Sequence, residues 1–310
     1  MPTALKLGYL VFNVRRPDRW AQFCRSMLGL PEPATNIDGS FGYQLDNEAA
    51  HRLVIEAGQA DDLAALGLEC SSDEELDTLL ARLQDGGLRI EKGSRALTDA
   101  RRVARLHRVA DPTGNRIELH TGPQAASRPF ASAAVPGGYK TGHLGLGHAV
   151  LVSRDTEAME RFYVELLGFR VSERLDTKVG PIQVRGTFLH CNRRHHSIAL
   201  FELPLRKRLH HFMLQANELA DVGAAFERAG RSNVPLSLGL GQHPDPDGTF
   251  SFYGQTPSGF DFEIGAATKE IDPDGWHETT TGLTSTWGHK PRLRLQLKMA
   301  KELVVRSLGR

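Results

Sequence analysis

The sequence LGHAVL at residues 146–151 begins a pattern that the chain repeats, and this repeat indicates the fold. It is typical of a short β-strand, and the residues after it place apolar side chains on one face of a helix that ends at Gly168. LGYLVF at residues 7–12 is followed by the same pattern, which ends at Gly29. Both copies separate the strand glycine from the helix-ending glycine by 21 residues (29 − 8 = 168 − 147). The copies differ at one position that bears on function, where Tyr9 replaces His148.

Two further modules complete the repeat. One begins near residues 66–69 and closes with DPTGNRIEL at 111–119, and the other begins with LHHFML at 209–214 and closes with TPSGFDFE at 256–263. Their closing strands share a Pro-to-Glu offset of six residues (118 − 112 = 263 − 257). A βαβββ module leaves one face of a curved sheet open, so such modules pack in pairs. We therefore predict an α+β fold in which four βαβββ modules form two domains.

A change of composition marks the boundary between the predicted domains. The segment 121–142 is rich in Ala, Ser, Pro and Gly, as linkers are. We expect a first domain at residues 1–125 and a second domain at residues 140–290. Residues 291–310 are expected to be a basic tail, for which we favour a solvated or subunit-packing helix.

Charge and composition exclude several classes of partner. The net charge of +1 over 310 residues gives no sign of a nucleic-acid partner. No apolar run approaches the ~18 residues of a membrane span, and the N-terminus opens directly into a strand. Three cysteines, Cys24, Cys70 and Cys191, are too few for a disulfide framework. We expect a soluble cytoplasmic protein without a membrane or nucleic-acid partner, and exposed sheet edges favour a homo-oligomer.

Three residues of the second half form a candidate metal site. His148, His211 and Glu263 lie on predicted strands at equivalent places in their modules. We choose His211 over His210 because LHH at 209–211 aligns with LGH at 146–148. Two imidazoles and one carboxylate on one side of a metal leave positions open for substrate and dioxygen, which suits Fe(II) and also fits Mn(II). For each histidine alone, an ordinary hydrogen-bonded core residue is the alternative.

Longer motifs give the second half a specific resemblance. They are GLGH at 145–148, FLHCNRRHHS at 188–197, LHHFM at 209–213, SFY at 251–253, TPSG at 256–259, Glu263 and WGH at 287–289. The chain resembles, over nearly its whole length, the type I extradiol ring-cleaving dioxygenases of the vicinal oxygen chelate superfamily, whose domains are also called glyoxalase/bleomycin-resistance-like. The resemblance implies Fe(II) bound by His148, His211 and Glu263, and a metal-free N-terminal domain. Because Tyr9 replaces the first histidine there, we expect Glu118 to have no partner and the first half to be structural.

The resemblance also implies residues around the metal. His196 matches the family's acid/base histidine, and we place it on a strand at 195–201; an edge-strand histidine in water is the alternative, favoured for His195. Tyr253 matches a tyrosine that donates a hydrogen bond to the catechol oxygen. His243 matches a histidine carried by a loop over the site, and Phe188 matches a residue that contacts the outer ring of the substrate.

The loop at residues 241–249 departs from the family pattern, because it holds one residue more before Tyr253. The family's loop aspartate therefore corresponds to Asp247 when counted back from Tyr253, and to Asp245 when counted from His243. We prefer Asp247. A solvated turn residue is the alternative for either aspartate.

The function that the resemblance implies is extradiol (meta) cleavage of a 3-substituted catechol, such as 2,3-dihydroxybiphenyl, by dioxygen in aromatic catabolism. The expected partners are thus a catecholic small molecule and dioxygen. One alternative is another metal-dependent enzyme of the superfamily, either a glyoxalase-like isomerase or a hydrolase. The other is a non-catalytic ligand-binding module, which should lack the complete set of three metal ligands.

Overall fold

A computed structural model describes residues 5–179 and 182–292 of the chain. The predicted basic tail therefore lies almost wholly outside the described residues. Within these ranges, none of the helices is both long and apolar enough to span a membrane.

Two sheets form the framework of the chain. The first has the order β2-β3-β4-β1-β5-β8-β7-β6 and consists of β1 (Leu5–Val14), β2 (Ala34–Thr35), β3 (Phe41–Tyr43), β4 (Leu53–Ala57), β5 (Asp62–Cys70), β6 (Glu91–Lys92), β7 (Val103–Ala110) and β8 (Arg116–Pro123). The second has the order β17-β10-β11-β12-β9-β13-β16-β15-β14-β18 and consists of β9 (Gly147–Val152), β10 (Arg170–Val179), β11 (Ile182–His190), β12 (Ile198–Phe201), β13 (Leu209–Gln215), β14 (Leu236–Gln242), β15 (Phe250–Gln255), β16 (Asp261–Ala266), β17 (Thr279–Thr281) and β18 (Trp287–Gly288).

The element order confirms four βαβββ modules in two pairs. The first strand of each module is followed by a helix, and these helices are α1 (Pro17–Ser26), α2 (Asp73–Asp85), α4 (Thr156–Arg161) and α5 (Leu219–Arg231). The first strands pair antiparallel, β1 with β5 and β9 with β13, which joins the two modules of each sheet. A short helix that the sequence pattern did not predict, α3 (Arg95–Arg101), lies between β6 and β7.

Local sequence explains where the helices begin and end. Proline occupies the first turn of α1, where its missing N–H costs nothing. Ser72 caps α2 by accepting a hydrogen bond from the backbone N–H of Glu75, and Gly86 follows its last turn. The third module differs from the predicted regular helix, because α4 continues as a π-helical turn over Phe162–Leu166. Of its apolar face, Met159, Phe162, Tyr163 and Leu167 are buried and Leu166 is half-buried.

The two sheets share one apolar core. In β1, Leu10 and Phe12 belong to this core, whereas Tyr9 and Val11 belong to a separate cluster, as the period-two alternation of a strand requires. Trp20 of α1 stacks on Phe12 and donates a hydrogen bond from Nε1 to Oγ of Ser258 in the second half, at 2.9 Å. The face of each sheet opposite the shared core is where the two halves differ.

Candidate metal centre

Backbone register brings the three predicted ligands together. On β13, Met213 pairs with His148 of β9 on one side and with Glu263 of β16 on the other. His211 lies two residues before Met213, so its side chain shares that face. Gly147 allows the close approach of β9 to β13, because its φ is +152° and a Cβ there would lie 1.9 Å from the carbonyl oxygen of Met213.

The ligand atoms of the three residues converge on one point. The Nε2 atoms of His148 and His211 are 3.2 Å apart, and Oε2 of Glu263 lies 3.2 Å from the first and 3.3 Å from the second. Ligand atoms about 2.1 Å from one ion, at angles of roughly 100°, are separated by about 3.2 Å. The spacing therefore fits a small transition-metal ion held on one face.

The carboxylate of Glu263 lacks well-formed hydrogen bonds. Both carboxylate oxygens of Glu263 are buried, and neither receives a well-formed hydrogen bond from any described residue. The residue is 1% exposed, and a buried carboxylate without a partner costs several kcal/mol. A bound cation would satisfy these oxygens, so the residues present fit a divalent metal.

The charge states of the cluster suit metal binding. Burial lowers the pKa of His148, which keeps its imidazole neutral with a lone pair available. Burial alone would raise the pKa of Glu263, but the neighbouring rings of His148, His211 and His243 hold that pKa well below its usual range. His210 lies behind His211 with 2.6 Å between their Nδ1 atoms, and this contact fixes the orientation of the ligand ring.

A histidine–tyrosine pair borders the cluster. Nε2 of His243 lies 2.8 Å from the hydroxyl of Tyr253 and 3.5 Å from Oε1 of Glu263. The other ring nitrogen of His243 is 2.7 Å from the carbonyl oxygen of Thr284. Burial lowers the pKa of His243, but Glu263 outweighs that effect and raises it to about 9. Burial raises the pKa of Tyr253 well above its ordinary value, so its hydroxyl remains a donor at neutral pH.

His196 borders the cluster on the other side. Its ring lies 4.1 Å from the ring of His148, and Phe188 packs edge-on against it at 4.8 Å. The predicted strand at 195–201 is wrong at its start, because β12 begins at Ile198 and His196 lies in the irregular segment before it. Burial, followed by the charge of His148, lowers the pKa of His196 well below its usual value.

The two candidate loop aspartates lie in different environments. Asp247 is buried, its Oδ1 accepts a hydrogen bond from Oγ1 of Thr249, and it forms a potential ligand cluster with His195 and His196. Asp245 is exposed and lies 2.5 Å from Nζ of Lys269. The loop therefore places Asp247, and not Asp245, beside the histidines.

Sequence reasoning missed two buried polar residues. His195, which we expected to face water, has no exposed surface, and its Nδ1 lies 3.1 Å from Nδ1 of His196. Glu173 of β10 is 4% exposed and lies 4.0 Å from Nε2 of His195. Adjacent histidines were the available signal for the first, whereas the sequence around the second reads as an ordinary exposed strand.

The equivalent place in the first half contains no comparable ligand cluster among the described residues. The expectation that Glu118 has no partner is wrong, because its Oε2 accepts hydrogen bonds from the hydroxyl of Tyr9 at 2.7 Å and from Nε of Arg101 at 2.8 Å. Arg101 also donates to Glu56 at 2.7 Å. Its ion pairs with these carboxylates raise its pKa despite burial. A guanidinium thus supplies the positive charge in this half.

Comparison with known proteins finds relatives that match nearly the whole chain. The biphenyl-2,3-diol 1,2-dioxygenase of Pseudomonas sp. (strain KKS102) is 38% identical over 288 residues, which are 92% of this chain and 97% of that protein. The iron-dependent extradiol dioxygenase of Rhodococcus jostii (strain RHA1) is 33% identical and covers 91% of this chain and 96% of that protein. The crystal structure of a catechol 2,3-dioxygenase superposes with a TM-score of 0.87 at 30% identity, covering 94% of this chain and 96% of that one.

A family profile matches the chain twice, at residues 6–119 and 145–264. Each match falls on one sheet with its helices, in agreement with the internal repeat. The chain belongs to the glyoxalase/bleomycin resistance protein/dioxygenase superfamily.

Proposed function

We propose that this protein is an Fe(II)-dependent extradiol dioxygenase, which opens the ring of a 3-substituted catechol beside its two hydroxyls with dioxygen. The observation that carries the proposal is the facial cluster of His148, His211 and Glu263, whose ligand atoms lie within 3.3 Å of one another. Three ligands on one face leave adjacent positions for a chelating diol and for dioxygen. The extradiol enzymes among its relatives support iron and a catecholic substrate.

The surrounding residues suit this reaction. When bound, Fe(II) supplies a Lewis acid for the diol and electrons for dioxygen. Tyr253 and His243 form a hydrogen-bonded pair that we assign to holding a catechol hydroxyl. His196, on the opposite side of His148, is the residue we assign to proton exchange with the reacting oxygen. The ring of Phe188 forms the apolar wall beside His196, where an outer ring would pack.

Asp247 is proposed as the carboxylate that keeps His195 and His196 oriented. It lies in one cluster with them and is buried. Its hydrogen bond from Thr249 fixes the carboxylate in place.

We also propose the domain division, the cellular location and the oligomeric state that the sequence led us to expect. The domain division at 1–125 and 140–290 is supported by the two profile matches and by the separate sheets. A cytoplasmic location and a homo-oligomer remain proposals based on composition and on sheet edges. Light scattering on the purified protein measures the oligomer directly.

Dioxygen consumption is the direct test of the function. Anaerobically purified protein loaded with Fe(II) receives 2,3-dihydroxybiphenyl, and dioxygen uptake is followed together with the absorbance of the ring-opened product. We expect one dioxygen consumed for each product formed, and loss of both in His148→Ala. No uptake with this substrate or with 3-alkylcatechols, despite bound iron, would favour an isomerase or hydrolase of the same superfamily.

A further inference from the structure

We propose that Glu173 and His195 form a proton relay that takes the substrate proton from His196, stores it on Glu173 and later returns it. This inference rests on the proposed function, in which Glu173 has no part and His195 is only a side chain that Asp247 keeps oriented. Both act through His196 and are positioning residues.

Three side chains form a line that leads away from the metal centre. Nδ1 of His196 lies 3.1 Å from Nδ1 of His195, and Nε2 of His195 lies 4.0 Å from Oε2 of Glu173. The last gap exceeds a direct hydrogen bond by about 1 Å, and such contacts in substrate-free enzymes tighten when substrate binds. Because Nδ1 of His196 faces His195, its Nε2 is the nitrogen left for substrate.

A β-bulge in β10 places the side chain of Glu173 on the face of the strand that points toward His195. The register of β10 against β11 shifts between Val171 and Glu173, so Ser172 is the extra residue. Beyond the bulge, Glu173 pairs with Phe188, and residues paired across two strands project from the same face. Phe188 contacts His196 from that face, and Glu173 therefore lies on the side of the site.

The burial of His195 and Glu173 costs free energy, because their polar atoms have few hydrogen-bond partners. His195 has no exposed surface, and its Nε2 has no hydrogen-bond partner among the described residues. Glu173 is nearly as buried, and its Oε1 accepts one weak hydrogen bond from Oγ1 of Thr279, at 3.3 Å. A buried carboxylate facing a buried unpaired imidazole nitrogen is explained by a proton that passes between them.

The relay moves one proton without creating a charged histidine. At the start, His196 carries its proton on Nδ1, His195 carries its proton on Nε2, and Glu173 is ionised. When Nε2 of His196 accepts the substrate hydroxyl proton, the Nδ1 proton of His196 passes to Nδ1 of His195. The Nε2 proton of His195 then passes to Glu173. Both imidazoles end neutral, and reversal of the sequence returns the proton to the reacting oxygen.

The electrostatics of Glu173 match a proton store. Burial raises its pKa to about 7, an effect increased by Asp247 and opposed by the hydrogen bond from Thr279 and by His243. An ordinary glutamate with a pKa near 4.3 would hold almost no proton at neutral pH. A carboxyl group poised near neutrality exchanges a proton in either direction at little cost.

The kinetic test uses Fe(II)-loaded enzyme and the pH dependence of kcat/KM. The relay accepts a proton only when Glu173 is ionised, so wild-type kcat/KM should rise with pH through about 7. Glu173→Gln should lower kcat on the order of 10- to 100-fold with little change in KM, and should remove that limb of the profile. Glu278→Gln is the matched control, since Glu278 is half-exposed and pairs with Arg174.

A double-variant cycle separates a relay from two unrelated contributions. His195→Gln interrupts the middle of the line, so Glu173→Gln combined with His195→Gln should be no slower than the slower single variant. Multiplication of the two losses would overturn the relay. So would a Glu173→Gln enzyme that keeps the wild-type rate and pH profile.

Infrared spectroscopy supplies a readout that does not depend on turnover. In the anaerobic holoenzyme, the carbonyl band of a protonated carboxyl group should titrate near pH 7 and be absent from Glu173→Gln. His195→Gln should shift its midpoint, and Glu278→Gln should not. A band that is unchanged in Glu173→Gln would overturn the assignment. Wild-type enzyme without dioxygen uptake would refute the proposed function instead, so the two failures are distinguishable.

Discussion

The two halves of the molecule each bury a carboxylate at an equivalent position but satisfy it in different ways. Glu263 and Glu118 occupy equivalent strands. Glu263 contacts His148 on the first strand of its half, and Glu118 contacts Tyr9 at the equivalent position of the other half. Around Glu263, His148 and His211 place ring nitrogens at metal-ligand spacing, and neither carboxylate oxygen has a well-formed hydrogen bond from a described residue, so the cluster fits a cation from outside. Around Glu118, Arg101 supplies a permanent cation.

The difference arises at one place in the module. The connection between β6 and β7 contains α3, whose last residue is Arg101, whereas the connection between β14 and β15 carries His243 against Glu263. On β5, Ala65 also stands where β13 has His211, as the paired registers show. The same repeat therefore becomes a metal site or a closed ion pair according to a few side chains.

The largest expected effect comes from mirrored substitutions of the two carboxylates. Glu263→Gln should reduce iron content and turnover by more than about 100-fold, since even residues behind the metal ligands are worth 10–100-fold. The folded fraction of the Glu118→Gln variant should keep one iron per chain and the wild-type turnover rate. Metal analysis and dioxygen uptake measure both. Equal loss of iron in the two variants would show that the two carboxylates do not differ in metal binding.

The next effect concerns stability and belongs to the first half. Arg101→Met leaves Glu118 buried with only Tyr9 as a partner, which should cost about 3–5 kcal/mol of unfolding free energy. Urea unfolding measures this cost. Arg105→Met is the control, because the Arg105–Asp77 pair is largely exposed and should contribute less than about 1 kcal/mol. A similar loss in both variants would show that Arg101 has no special role.

Much of this contrast was readable from the sequence, and the reasons for the rest are physical. The repeat and the four modules follow from spacing and strand alternation, and the resemblance to the extradiol dioxygenases implied that His148, His211 and Glu263 converge. Arg101 was not predictable, because its partner is decided by how an inserted helix folds back onto the sheet. Glu173 was missed because one bulge residue changes which face of the strand a side chain occupies.

Two buried histidines of the first half should make its stability sensitive to acid. Burial, with the charges of nearby arginines, lowers the pKa values of His51 and His120 to about 3. Both are neutral when folded but bind protons below about pH 6.5 when unfolded. Their contribution is complete above that pH and is lost as the pH falls toward 3, by up to about 1.4 kcal/mol per unit each.

Replacement of both histidines tests this acid sensitivity. In His51→Gln combined with His120→Gln, the unfolding free energy should depend less steeply on pH between 6 and 4 than in wild type. Urea titrations at several pH values measure the slope. An unchanged slope would mean that other groups dominate the acid response.

The smallest effect separates the two loop aspartates. Asp245→Asn should change kcat/KM less than about twofold, because its pair with Lys269 is solvent-exposed. Asp247→Asn should lower it roughly tenfold or more, because its buried carboxylate lies beside His195 and His196. Steady-state kinetics with 2,3-dihydroxybiphenyl distinguish the two. The reverse order would assign the loop role to Asp245.

Anomalous diffraction can locate the metal in each half of the molecule. Crystals of the Fe(II)-loaded protein, measured above and below the iron absorption edge, report each iron position. We expect one strong peak per chain, between His148, His211 and Glu263, and none beside Arg101. A peak next to Glu118, or none at Glu263, would contradict the division into a metal site and a closed ion pair.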